Sequence, residues 1–286
     1  MVEMPVVVGY NGRPHAQEAL RWAAMEARHR DAPLLVLFAA NYPGMVGLPD
    51  AGPAEIEPGA LDAAREVTAQ GVARAAGMLP GLPVTGRTEV TSPAQALLDV
   101  SREASLLVLG SRGRGSVLAG LLGSVAFTVA GNTRCPMVVI KQGYGETTAG
   151  PGRGVVVGTD GSAAASAAVR FAAGHAASHA APLLIVCCTG EVSVPAAVPA
   201  SPRAAAEEIL RRARASLAES HPDLPVATRV AEGVPERILV DASPGAGLMV
   251  VGSRGRGAFW AMVTGSTACA VIHGAACPVA VVGSPG

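Results

Sequence analysis

Along the first half of the chain, short apolar runs alternate with longer segments in which apolar residues recur every three or four positions. Runs of that length predict strands, and that recurrence predicts helices with one buried face. Residues 5–9 make a first strand, and 14–30 a helix whose apolar stripe runs through Ala16, Leu20, Ala23, Ala24 and Ala27. A second strand covers 34–40, a Pro/Gly-rich loop 41–59, and a helix runs from about 61 to 78. A third strand (84–90), a helix (93–103), a fourth strand (106–109), a helix from 124 to about 132 and a last strand (137–141) follow. The second half repeats this order, with helices at 163–179, 202–219, 235–242 and 266–274. Strands alternating with helices predict parallel βαβ units, hence a doubly wound α/β sheet in each half. The polar, glycine-rich stretch 142–154 reads as a linker, so the expected domains are 1–141 and 155–286.

The halves repeat most closely in one stretch. From Gly110 the chain reads GSRGRGSVLAGLLGS, and from Gly252 it reads GSRGRGAFWAMVTGS; both obey G-x2-G-x9-G-S. Each copy follows an apolar run (106–109 and 248–251) and leads into a helix opened by a serine, Ser124 or Ser266. Strand, glycine loop and helix start together make a phosphate site. Glycine lets an anion approach the main chain, and the unpaired N–H groups of the helix's first turn point at it. A tight connection between strand and helix needs glycines too, but two copies at one spacing favour the phosphate reading. The candidate binding residues of the first copy are Gly110, Ser111, Arg112, Gly113, Arg114, Gly115, Ser116, Gly123, Ser124 and Val125. Those of the second are Gly252, Ser253, Arg254, Gly255, Arg256, Gly257, Ala258, Gly265, Ser266 and Thr267. The four arginines either clamp phosphates or stay solvated, and the loop sequence leaves both readings open.

Other segments pair between the halves: VVVGYNG at 6–12 with VVVGTDG at 155–161, APLL at 32–35 with APLL at 181–184, and CPMV at 135–138 with CPVA at 277–280. With the doubled glycine motif, these features resemble the ATP-binding branch of the universal stress protein family in its tandem form. The resemblance covers nearly the whole chain. It implies five parallel strands per domain in the order 3-2-1-4-5, with helices on both faces and a ligand crevice between strands one and four. It also implies one ATP per domain, with Mg2+ on the phosphates. Adenine then lies at the backbone of Ala39 or Cys188, and the nucleotide meets Asn11 or Asp160 beyond Gly9 or Gly158. The glycine loops hold ribose and phosphates. Asn11 departs from the family pattern because it lacks the carboxylate charge. Asx-Gly is also a common turn pair, so turn chemistry is the other reading of Asn11 and Asp160. The resemblance further implies a regulatory role in the stress response. It also implies pairing of the two domains within the chain, or of two chains as a homodimer.

Composition narrows the classes. Half of the residues are apolar but only 3% are aromatic, so small aliphatic side chains fill the interior. Lys+Arg and Asp+Glu both number 22, which leaves none of the basic excess that a nucleic acid or an anionic membrane surface demands. No stretch offers about 18 uninterrupted apolar residues, so no membrane span is expected. The start, Met-Val-Glu-Met-Pro, carries an acid where a leader carries bases, and the five cysteines are an odd number. The expectation is a cytoplasmic protein with reduced thiols. His175 and His179 have the spacing of two metal ligands on a helix, but no third ligand lies nearby in sequence, and no metal site is assigned. Cys187 and Cys188 read as packing residues of an apolar strand, and Cys135 and Cys277 as structural. Lys141 is the sole lysine and no G-x4-G-K-[ST] occurs, which argues against a lysine-dependent NTPase. Hydrolase and metalloprotease motifs, and those of adenylyl transfer, are also missing. A non-enzymatic nucleotide binder is expected. The alternatives are a slow ATPase or nucleotidyl transferase using the same pocket, and a protein-interaction module with one or both pockets empty.

Overall fold

The computed structural model describes residues 4–40, 58–111, 124–190, 201–255 and 265–284. The first half contains β1 (Val6–Gly9), α1 (Pro14–His29), β2 (Leu34–Ala39), α2 (Pro58–Met78), β3 (Val84–Glu89), α3 (Pro93–Val100), β4 (Leu106–Ser111), α4 (Ser124–Ala130) and β5 (Met137–Lys141). The second contains β6 (Val155–Thr159), α5 (Ala163–Ser178), β7 (Leu183–Thr189), α6 (Pro202–Ser220), β8 (Val226–Glu232), α7 (Pro235–Asp241), β9 (Leu248–Gly252), α8 (Ser266–Gly274) and β10 (Val279–Val282). The chain folds as two compact units that divide between Glu146 and Thr147, inside the glycine-rich stretch.

Each unit holds five parallel strands. In the first unit they lie in the order β3-β2-β1-β4-β5, with Val6 opposite both Leu34 and Leu106. In the second the order is β8-β7-β6-β9-β10, with Val155 opposite both Leu183 and Leu248. The central strands are continuous aliphatic runs because a parallel sheet is covered on both faces. Val6, Val7, Val8, Leu106, Leu107 and Val108 are completely buried. Strand alternation shows the two layers directly. A Cβ on Gly9 would meet Leu97 of α3, whereas the next residue, Tyr10, turns its ring against Gly71 of α2. The outer strands β3 and β8 expose Arg87 and Arg229 at mid-strand, and such charges discourage pairing with a further chain.

Serine caps open three of the helices. Ser92, Ser162 and Ser201 each accept the N–H three residues on, opening α3, α5 and α6. α3 is three residues shorter than its pattern predicts. Its C-cap Ser101 is buried, donates its hydroxyl to Leu98 O (2.7 Å) and accepts the N–H of Arg134 (3.1 Å). The second unit repeats the device: Ser243 donates to Val240 O (2.6 Å) and accepts from Ala276 N (2.7 Å). Ser243→Ala leaves the Ala276 N–H without that acceptor in a buried turn. The expected cost is about 1–3 kcal/mol, read from urea unfolding with an unchanged m-value. A shift in stability below about 0.5 kcal/mol would show that the hydroxyl does not hold the turn.

The stretch read as a linker is pinned at both ends. Gly145 N donates to Glu18 of α1 (2.8 Å), while Gly154 O accepts from Gly247 N (2.9 Å) ahead of β9. Gly247 must be a glycine, because a Cβ there would collide with the backbone of Ala149. Its composition reads as flexible; its contacts tie each end to its own unit.

Candidate functional site

The crossovers from β1 and β4 run to opposite sides of the first sheet, as do those from β6 and β9 in the second. A crevice therefore opens at the carboxyl edge between each pair. In the first unit Gly9 opposite Leu109 is the last registered pair, and β4 runs on through Gly110 and Ser111 beside Ile140 and Lys141. The sequence pattern ends this strand at Leu109, since a glycine normally breaks a strand; pairing with β5 carries it further. In the second unit the last registered pair is Val157 with Val250.

Beyond β6 the chain turns through Asp160-Gly161, with Gly161 at φ 78°. Asp160 Oδ1 accepts the N–H of Ser162 (2.9 Å), and Thr159 Oγ1 accepts that of Gly161 (3.3 Å). Beyond β1, Asn11 Oδ1 accepts the N–H of Arg13 (3.2 Å), and Gly12 has φ 75°. Both residues therefore close Asx turns. Asp160 does more: its second oxygen, Oδ2, faces the glycine loop, 2.8 Å from where a Cβ on Gly255 would stand.

The loop glycines divide by task. A Cβ on Gly110 would overlap the carbonyl of His15 at the start of α1, and one on Gly252 would stand 3.0 Å from Ala165 N of α5. A Cβ on Gly9 would lie 2.6 Å from Leu109, and one on Gly158 2.8 Å from Leu239. Backbone packing accounts for glycine at Gly110 and crowds Gly252, whereas at Gly9 and Gly158 the added methyl would meet only the ends of leucine side chains. Gly255 and Gly265 are different. Gly255 is exposed beside Asp160. Gly265 caps α8 with φ −62° and ψ 147°, a backbone open to any residue, and its N–H donates to Ser253 O (2.8 Å). It offers no side chain to the first-turn N–H groups of α8. Ser253 and Ser111 are buried beneath the loop starts, Arg254 is exposed, Ser124 and Ser266 are exposed at their helix starts, and Val125 and Thr267 are half-buried. Arg112, Gly113, Arg114, Gly115, Ser116, Gly123, Arg256, Gly257 and Ala258 lie outside the described residues.

Ala39 ends β2, and Cys188 lies one residue before the end of β7. Cys187 is buried and Cys188 half-buried on the opposite face, as strand alternation requires. Burial pushes the Cys188 thiol up to about 11, helped by Cys187 and by Glu236 and opposed by Arg229. At neutral pH it is a neutral, weakly nucleophilic group. Sequence reasoning passed over Arg13, beside Asn11, and weighed Lys141 only as the sole lysine; the register sets Lys141 beside Ser111. The signal for Arg13 was position, since it follows a strand whose carboxyl edge borders the crevice; Lys141 ends β5, one strand further out.

The model of the universal stress protein family matches residues 4–141 and 153–283. Over 282 residues the chain is 33% identical to a universal stress protein of Mycobacterium tuberculosis (strain ATCC 25618 / H37Rv), with 96% of each chain covered. A second universal stress protein of the same strain is 31% identical over 292 residues, covering 96% of this chain and 95% of its own. Among solved structures, a universal stress protein from Archaeoglobus fulgidus DSM 4304 superposes with a TM-score of 0.77 at 19% identity, both chains covered in full. That likeness speaks for the fold.

Proposed function

The chain belongs to the universal stress protein family through both of its halves, and on that premise we propose that each unit binds one ATP, with Mg2+, as a regulatory ligand. The observation that carries the reading is the side-chain-free cradle of the second unit. Gly255 and Gly265 leave main chain bare where β6 and β9 part, at the entrance to α8. A triphosphate laid there meets backbone N–H groups and the positive end of the helix dipole. The adenine lies across the end of β7 at Cys188, and the ribose reaches the Asp160 turn. The first unit presents the same elements around Ala39, Asn11 and Ser124. Mg2+ neutralises the phosphate charge. The chain supplies position and backbone donors, and among the described residues no base stands poised for transfer, so occupancy and not turnover is the signal passed to the stress response.

The test is titration of protein confirmed nucleotide-free. A ligand that binds only the folded state at 100 times its Kd adds about 2.7 kcal/mol to stability, so ATP with Mg2+ should raise Tm by several degrees. Calorimetry should register binding, and the ATP recovered after hours should be intact. No heat and no Tm shift would end the nucleotide reading. Steady conversion to ADP, or transfer of the nucleotidyl group, would make the protein an enzyme instead.

A further inference from the structure

Among the described residues β8 pairs with β7 alone, so its outer edge carries main-chain N–H and C=O groups with no strand beside them. A cleft of about 320 Å3 runs between this strand and α6. Thr228 and Val230, two apart on one face of β8, line it from below. Arg203, Glu207, Leu210, Arg211 and Arg214 line it from α6, on one face by helical spacing. Among the described residues none of β7 takes part, which puts the cleft on the side where a further strand would lie.

The first unit is packed shut at the same place. With Gly110 matched to Gly252, the same spacing matches Gly86 to Thr228 and Val72 to Arg214. A Cβ on Gly86 would stand 2.7 Å from Thr68 and 2.9 Å from Val72, so α2 rests on bare backbone of β3. In the second unit a threonine fills that place and an arginine replaces the valine. Arg203 and Arg211 likewise replace Leu61 and Ala69. An apolar seat has become a cleft with three arginines.

Their charge is only partly answered within the unit. Arg203 meets Glu207 (3.1 Å), but these side chains are 64% and 56% exposed, and such a pair exchanges easily for another carboxylate. Arg211 and Arg212 share the one carboxylate of Glu208. Among the described residues Arg214 has no ion pair, nor has Arg229 on the other face of β8. A strand laid along this edge would send alternate side chains into the cleft and the rest toward Arg229. Arg203 and Arg214 lie roughly 16 Å apart along α6. Strand residues four apart span about 13 Å, within reach of two such side chains. Leu210 and Val230 meet an apolar residue between them.

We propose that the outer edge of β8, under α6, is a docking site for an acidic, extended segment of a partner protein. The segment adds to β8 as a further strand and sets carboxylates against Arg203, Arg214 and Arg229. Arg229 discourages a neutral or basic strand there and attracts an acidic one. A second copy of this chain is a poor occupant, because its outer strands bring Arg87 or Arg229. Docking requires no nucleotide, so its test stands apart from that of the crevices.

The experiment follows fluorescence anisotropy of a labelled peptide, Thr-Glu-Glu-Val-Glu-Glu-Thr, titrated with the full chain. Arg214→Glu and Arg229→Glu should each weaken binding on the order of tenfold or more, with circular dichroism unchanged. Arg74→Glu, at an exposed arginine of α2, should change it less than about twofold. A peptide with lysine for glutamate should not bind. Methylating alternate amide nitrogens of the acidic peptide should abolish binding for one alternate set and spare the other, since only one set faces β8. The inference fails if Arg214→Glu has no effect, or if no binding occurs up to about 1 mM protein. It also fails if both methylated peptides bind alike; displacement by oligothymidylate would then mark a general polyanion surface.

Discussion

Gly110→Ala is expected to destabilise the protein by about 3 kcal/mol or more, near the upper end of what overpacking costs. The added methyl would fall on the carbonyl of His15 and stand 3.1 Å from Ala16 N. Those are backbone atoms of the first turn of α1, so no rotamer change relieves the overlap; the helix must lift off β4. Gly252→Ala is milder. Its methyl meets Ala165 N at 3.0 Å and the Ala164 carbonyl carbon at 3.1 Å, a shift of a few tenths of an ångström. About 1–2 kcal/mol is expected there. Urea unfolding of both variants without nucleotide decides the matter. Equal and small losses would show that these glycines are not packing requirements, and their place in the motif would then rest on the ligand.

Gly265→Val is expected to cost ATP binding about 100-fold in the second unit while the fold survives. A Cβ at Gly265 would have room, 3.4 Å from Ser253 O and 3.7 Å from Arg254 Cα, and the backbone there suits any residue. Neither strain nor packing explains the glycine, which leaves close approach by a ligand. The branched methyls of valine would cover the first-turn N–H groups of α8. Losing two charge-assisted hydrogen bonds at about 1.5–3 kcal/mol each gives at least the hundredfold change. Gly265→Ala should keep more of the affinity. Far-ultraviolet circular dichroism checks the fold and calorimetry the sites. Loss of both sites from this one change would mean that the two units bind as a coupled pair.

Much of the architecture was legible because its causes are local. Valine and leucine runs such as 6–8 and 106–109 cannot sit half in water, so they mark strands buried on both faces. The stripe from Ala16 to Ala27 marks a helix with one covered side. The start of α3 at Pro93 was legible, but its end depends on Arg134, far along the chain, whose N–H the Ser101 hydroxyl accepts. Strand order came from family likeness, because periodicity is the same whichever neighbour a strand takes.

The candidate site was legible to the level of motif and no further. By itself the sequence determined that strand, glycine loop and helix start recur at one spacing, and that Asx-Gly pairs end β1 and β6. Backbone freedom and turn preference belong to the residues themselves. Only the tertiary structure decided which glycines serve packing and which leave main chain bare. Gly110 answers to His15 and Gly255 to Asp160, partners brought close by the sheet and not by the chain. The direction of the second Asp160 oxygen was decided the same way. A side chain's neighbours are set by where distant segments come to rest, and no local pattern encodes that.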